Sequence, residues 1–308
     1  ADEMIETTWA TNVGVQVKMQ SYAYANQNHN SYIIRSYTFT NNGNVDGDAG
    51  YIELPGQNLT GAYFGFQYFL IPGFDTGHAT VRQNDDWAAY YGNAPEDTLR
   101  GLFYVFDGDA EDNYDPNDDT GDPDPQTGKF LSPQYPAFGV LHADVAFDND
   151  SDDPNQPATV DIKPRINMKS HNKGNSDKEL YAEMSSGIQS RGTVGLADLP
   201  YDAAVRVPIA LLSFGPYDIP FGESINIVLY EAVGAISQRD ALTAGKSWMN
   251  GDLEFNGLTG DAAKNALLAT GKDSLFMHAS RAEFAWRNGL ETIPSPPPSP
   301  NLDILSGP

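Results

Sequence analysis

Between Asp107 and Asp124 the chain reads DGDAEDNYDPNDDTGDPD, and Asp148-Asn149-Asp150-Ser151-Asp152-Asp153 follows soon after, with no Lys or Arg in either tract. Carboxylates packed this densely repel one another unless they are hydrated or share a cation, and hard divalent ions favour oxygen ligands. Ca2+ is therefore the first ligand to expect. Asp107, Asp109, Asp112 and Asp115 are spaced so that a folded-back loop can aim several oxygens at one ion, at about 2.3–2.6 Å. Asp148, Asp150 and Asp152 match the first three ligand positions of an EF-hand loop, although Asp153 replaces the glycine and Thr159 stands where the closing glutamate belongs. Asp75, Asp85 and Asp86 are further contributors to consider. The plainer reading of both tracts is a hydrated acidic loop, because charge runs are commonly just solvated.

A second chemistry is conceivable at Asn84-Asp85-Asp86-Trp87-Ala88-Ala89-Tyr90-Tyr91. Paired carboxylates drive glycoside hydrolysis, and aromatic faces such as Trp87, Tyr90 and Tyr91 stack on sugar rings. A loop leading into an aromatic strand explains the same residues without chemistry. The histidines His29, His78, His142, His171 and His278 are scattered, with no metal-ligand spacing among them. There is no nucleophile elbow, phosphate loop or dinucleotide fingerprint.

The formal net charge of -24 comes from 42 acids against 18 bases, and the two tracts hold nine and four of those acids. Few bases and no basic run argue against a nucleic-acid partner or an anionic membrane surface. Cysteine is absent, which removes disulfides, thiolate metal sites and a cysteine nucleophile. No apolar run approaches the ~20 residues of a membrane span. Ala1-Asp2-Glu3 lacks the basic start and apolar stretch of a signal peptide, so a mature terminus left by cleavage, and hence export, is the expectation.

The elements that must carry these residues are mostly strands. Val13, Val15, Val17 and Met19 alternate, and residues 32–40 form a β-branched and aromatic run that ends in Asn41-Asn42-Gly43-Asn44. Residues 59–71, 101–106, 138–147 and 158–162 read as further strands, so the first acidic tract begins at a strand end. Residues 204–214 and 224–233 make two more, separated by a turn over Gly215-Pro216-Tyr217-Asp218-Ile219-Pro220. Helical turns are expected over Lys178 to Met184. The C-terminal part predicts three helices: 237–248 with Ser237 as N-cap, 261–270 closed by Gly271, and 273–288. The segment Pro294 to Pro300 reads as a stiff polyproline spacer.

Several segments carry a family resemblance. Gly14-Val15-Gln16-Val17 with Gln20-Ser21-Tyr22-Ala23-Tyr24, followed by Tyr32 to Gly43, resembles the opening of large secreted proteins of Gram-negative bacteria. The likeness returns at Asp85-Asp86, Tyr104 to Asp109, Gly215-Pro216-Tyr217, Gly222-Glu223-Ser224 and Lys272-Asp273-Ser274-Leu275. Such proteins continue through a proline linker into fibronectin-III-like and C-terminal sorting domains, and Pro294 to Pro300 fits that linker. The resemblance implies an extracellular, surface-attached or filamentous role and offers no catalytic residue to carry over.

The expectation is a mainly β protein, an antiparallel sandwich of jelly-roll or Ig-like type over 1–235 with acidic insertions at 107–128 and 148–157. A small C-terminal helical subdomain over 236–292 packs on it, and 293–308 is a linker. The expected role is a noncatalytic structural or adhesive module at the cell surface, stabilised by Ca2+ and partnered by other protein subunits, by copies of itself in an oligomer or filament, or by extracellular glycan. The rival is a carbohydrate-binding module or glycan hydrolase.

Overall fold

The structure, a computed structural model, describes residues 1–48, 50–70, 72, 87–92, 97–106, 123–164, 169–170, 173–189, 192–195, 208–291 and 293. The amino-terminal half alternates apolar and polar residues and forms β1 (Glu3–Ala10), β2 (Val15–Ala23), β3 (Tyr32–Asn41), β4 (Leu59–Phe69), β5 (Trp87–Tyr91) and β6 (Arg100–Phe106). Then follow β7 (Gln134–Ala146), β8 (Asn149–Asp152), β9 (Thr159–Pro164), helix α1 (Asp177–Met184), β10 (Gly192–Gly195), β11 (Pro208–Ile219) and β12 (Ser224–Ala235). Helix α2 (Gln238–Asn250), the short hairpin β13 (Glu254–Phe255) and β14 (Leu258–Thr259), and helix α3 (Gly260–Arg287) complete the order.

Two antiparallel sheets pack as a sandwich. The large one runs β1-β2-β3-β12-β7-β6-β5-β10, with β8 attached to β7, and the small one runs β4-β11-β9. Strand β12 shows how the chain serves three layers at once. Its residues Ile225, Ile227 and Leu229 face the small sheet, sharing a core with Leu212 and Phe214 of that sheet and with Phe39 and Phe138 of the neighbouring strands. The alternate residues Val228, Tyr230 and Ala232 face the other way, into a second core closed by Leu275, Ala279, Ala282 and Ala285 of α3. A strand buried on both faces loses the apolar-polar alternation and reads as a nearly continuous hydrophobic run. Helix α2 makes a smaller third core with Phe130, Ala241, Ala244 and Leu268.

Three expectations are corrected. Gly271 does not end a helix: α3 is one helix of 28 residues that passes straight through it. That glycine is needed for approach, because a Cβ there would lie 3.0 Å from a Tyr135 ring carbon and 3.1 Å from Ala235 Cα. On the facing strand, a Cβ at Gly234 would overlap Leu275 N and Gly271 O. The paired glycines bring the backbones of helix and sheet into contact. Residues Gly215 to Ile219 are not a turn but the second half of β11, which shifts register against β4 after Phe214; the chain turns at Pro220–Gly222 instead. The second acidic tract, expected as a loop, is the turn and returning strand of the β7–β8 hairpin, with Asp144 opposite Asp152 and Ala146 opposite Asn149.

Candidate functional site

Between β3 and β4 lies a twelve-residue stretch, Asn42 to Glu53, whose oxygen-bearing side chains recur at every second position. Asn42, Asn44 and Asp46 occupy the first, third and fifth places, Gly47 the sixth, Asp48 the seventh and Glu53 the twelfth. This is the order in which an EF-hand-type loop supplies calcium ligands, with the glycine making the sharp bend and the seventh residue giving its carbonyl. Gly47 has φ +84, a conformation that side chains disfavour.

The side chains of Asn42, Asn44, Asp46 and Asp48 are each held by the backbone two residues on. Asn42 Oδ1 accepts from Asn44 N at 3.1 Å, Asn44 Oδ1 from Asp46 N at 3.2 Å and Gly47 N at 2.6 Å, and Asp46 Oδ1 from Asp48 N at 2.8 Å. Glu53 folds back so that Oε2 accepts from Val45 N at 3.0 Å. One oxygen of Asp46 and one of Glu53 are thereby spent, while Asp46 Oδ2 and Glu53 Oε1 carry no hydrogen bond among the described residues. The carbonyl of Asp48 turns inward and accepts from Asn44 Nδ2 at 2.8 Å. The donor set is all oxygen and suits Ca2+ rather than zinc. Asn42, Asn44, Asp46, the Asp48 carbonyl and Glu53 are the residues that would hold the ion.

The loop's foot is fixed to the sandwich. Asn41, buried at the end of β3, donates from Nδ2 to Gln57 O at 2.8 Å and Ile219 O at 2.9 Å. Gly43 N donates to Gly14 O and Leu54 N to Gly43 O. A Cβ on Gly43 would overlap the Leu54 carbonyl, so only glycine permits this closure. A search for dense acid does not find this loop, because it carries only three carboxylates; its two-residue rhythm with glycine sixth and glutamate twelfth is the signal that would.

The sites expected from sequence fare differently. Asp107, Asp109, Asp112, Asp115, Asp75, Asp85 and Asp86 lie outside the described residues. Asp148 sits in the β7–β8 turn, and Asp150 and Asp152 follow on β8. Asp152 is already engaged. Arg100 clamps it through two bonds of 2.9 and 2.8 Å and also bonds Asp153 O, while Ala143 N donates to Asp152 Oδ1 at 3.0 Å. His142 bridges this pair to the buried Asp144, with Nε2 2.7 Å from Asp144 Oδ1 and Nδ1 3.5 Å from Asp152 Oδ1. Asp144 Oδ2 accepts in turn from Asn226 N and Nδ2. The cluster ties three strands of the large sheet to β8 by charge-assisted hydrogen bonds. Among the described residues no group of three or more His, Asp or Glu side chains is gathered tightly enough to hold a metal.

Two of the three aromatics of the glycan reading, Tyr90 and Tyr91, lie on opposite faces. Trp87 opens β5 opposite Phe106 and Gly195. Tyr90 lies in the core between the sheets at 5 % exposure, and Tyr91 packs on the opposite face with its ring 5.0 Å from that of Phe276 on α3. Adjacent strand residues point to opposite faces, so these two rings cannot form one platform.

Two further charged groups are structural. Arg35 and Glu231 pair at 3.0 Å across β3 and β12, and Tyr68 donates to the same carboxylate at 3.2 Å. Burial and the Glu231 charge push the Tyr68 phenol far above its ordinary value. Lys163 on β9 joins Asp161 at 2.6 Å to Glu183 of α1. Burial opposes the Lys163 charge, but hydrogen bonds and attraction from both carboxylates outweigh it and hold the ammonium above its usual pKa. No protein-family model and no curated protein matches the chain. Among the described residues no helix is long and apolar enough to cross a membrane.

Proposed function

We propose that this protein is a noncatalytic structural or adhesive module of the extracellular surface, locked into shape by Ca2+. The observation that carries the reading is the Asn42–Glu53 loop: an oxygen donor set in calcium-ligand order, clamped at its foot to β3, β11 and the β1–β2 turn. An ion there neutralises Asp46, Asp48 and Glu53 and ties the link between the two sheets, because β3 belongs to the large sheet and β4 to the small one. The Asp107–Asp124 tract supplies a second, more acidic place for the same cation. Export is supported by the resemblance to secreted proteins, and the absence of cysteine is compatible with it.

The partners are other protein subunits, copies of the chain, or glycan. Of these the protein partners are favoured, since Tyr90 and Tyr91 are packing residues. Isothermal titration with CaCl2 of the wild-type chain and of Glu53→Gln tests the reading. One binding event is expected to vanish in the variant. Identical titrations would remove the loop from the ligand set, and no heat of binding in either protein would end the calcium reading altogether.

A further inference from the structure

Among the described residues the small sheet stops one strand short. Among the described residues β4 pairs with β11 alone, and its other edge, along Tyr63 to Phe66, pairs with no strand. The large sheet continues past it. Phe64 stacks on Phe39 of β3 at 4.0 Å and Phe66 meets Tyr37 at 5.0 Å, so β4 lies over β3, while β2 and β1 extend beyond with no strand opposite among the described residues. Two strands at about 4.8 Å each make an overhang of roughly 10 Å.

The result is a groove of about 500 Å³ along the flank of the sandwich, with Val17 and Met19 as floor, Trp9 and Val13 at the outer rim, and Phe64 and Phe66 as the inner wall. Trp9 lies directly opposite Val17 in the β1–β2 ladder and therefore on the same face, yet it is 42 % exposed, and Val13 is 53 % exposed. No Asp, Glu, Lys or Arg lines this groove, although the chain carries a net charge of -24.

We propose that this flank accepts a lone extended segment of a partner protein, uncharged and apolar at alternate positions, which adds to β4 as a fourth strand of the small sheet. Three features define that occupant. The free edge of β4 offers backbone N–H and C=O groups, which only an extended chain can satisfy in series. The neutral lining gives a charged side chain no partner and would desolvate it. The overhang decides between a lone strand and a second sandwich. A copy of this chain laid edge to edge on β4 would bring its own β3 into the space held by β2, whereas a single strand backed by no second sheet fits. This names the partner of the structural role proposed above, but needs no bound calcium, so the test is run in EGTA and its failure is separate from a failure of the calcium titrations.

The probe is a blocked, fluorescein-labelled peptide of alternating threonine and valine, eleven residues long to match β4. Fluorescence anisotropy is expected to show saturable binding with Kd below about 1 mM. Hydrogen exchange at the Tyr63–Phe66 amides is expected to slow on binding. Trp9→Asp and Val13→Asp place a charge at exposed rim positions, where the fold tolerates it, and are expected to weaken binding by at least about tenfold. Met4→Asp, on the other face of β1, is expected to leave binding unchanged. Failure to saturate, or equal binding by the rim variants once their melting curves confirm folding, would overturn the proposal. A concentration-dependent dimer in sedimentation that the peptide dissolves would make a second copy the occupant and overturn the assignment to a partner protein.

Discussion

Replacing Glu53 by glutamine keeps the shape of the side chain, and its hydrogen bond from Val45 N can persist through the amide oxygen, but the change removes the charge and puts an amide N–H donor where the unpaired Oε1 would face a cation. The loop offers three carboxylates, two of them on exposed residues, which places it with weak extracellular sites of Kd about 10⁻⁴ to 10⁻³ M. In about 10 mM Ca2+ an ion bound only by the folded chain then adds about 1.4 to 2.7 kcal/mol. For a chain of 308 residues, at about 2 °C per kcal/mol, that is about 3 to 5 °C in Tm. Differential scanning calorimetry of the wild type, with EGTA and then with CaCl2, is expected to show this rise. In Glu53→Gln the rise should fall by more than half, and any remainder belongs to Asp107–Asp124. An equal rise in both proteins would refute the assignment of the Asn42–Glu53 loop. No rise in the wild type at about 10 mM would refute stabilisation by calcium at this strength.

Gly234→Ala drives a methyl group into the backbone of α3 at Leu275 and Gly271, which cannot swing aside as a side chain can, so a loss of about 3 kcal/mol is expected in urea unfolding. Ser280→Ala, on the exposed side of the same helix, should stay within about 0.5 kcal/mol. Lys163→Met leaves Asp161 beside the buried Glu183 with no countercharge and is expected to cost about 2–4 kcal/mol, largely regained when Glu183→Gln is added. Tyr90→Ala should lower stability by about 3–5 kcal/mol, a packing effect that a glycan-stacking ring at the surface would not show. Burial, with Asp2 adding to it, raises the Tyr24 phenol to about 12, and burial pushes Tyr32, Tyr68, Tyr217 and Tyr230 higher still. Their unfolded value is about 10, so this stabilisation is whole below pH 10 and is lost as pH climbs toward the folded values. Tm should therefore hold to about pH 9.5 and fall beyond it, and a flat profile to pH 11 would contradict the burial.

Much of the fold could be read from residue patterns because strands such as β3, β4 and β7 are long and rich in β-branched and aromatic residues. The antiparallel sandwich follows from them. The mistakes have local causes. Gly271 and the Gly215-Pro216 pair carry the usual marks of a helix end and a turn, but each answers to a neighbour: Gly271 to the close approach of β12, and Gly215, at φ +136, to the Ala62 carbonyl on β4. No reading of one segment alone can see such a constraint. Strand β1 leaves little trace in the sequence because its residues are nearly all exposed and include two acids, Glu3 and Glu6. The site was less legible. Density of acid drew attention to Asp148, Asp150 and Asp152, where Arg100 already compensates Asp152 from a strand about fifty residues away, whereas the sparser Asn42–Glu53 loop keeps calcium-ligand spacing with fewer charges.

Strand β12 sits between β3 and β7, so Thr40 waits for Ser224 and Tyr32 for Ala232 before the large sheet can close. An emerging chain can zip β1, β2 and β3 into a meander early, but the open side of β3 then stays unsatisfied until β12 has been made. Closure over so many intervening residues is slow, and the waiting edge is sticky. Closure of the large sheet therefore rests on a pairing between segments far apart in sequence, and shielding of the open edge of β3 until β12 arrives is expected to raise the yield of folded protein.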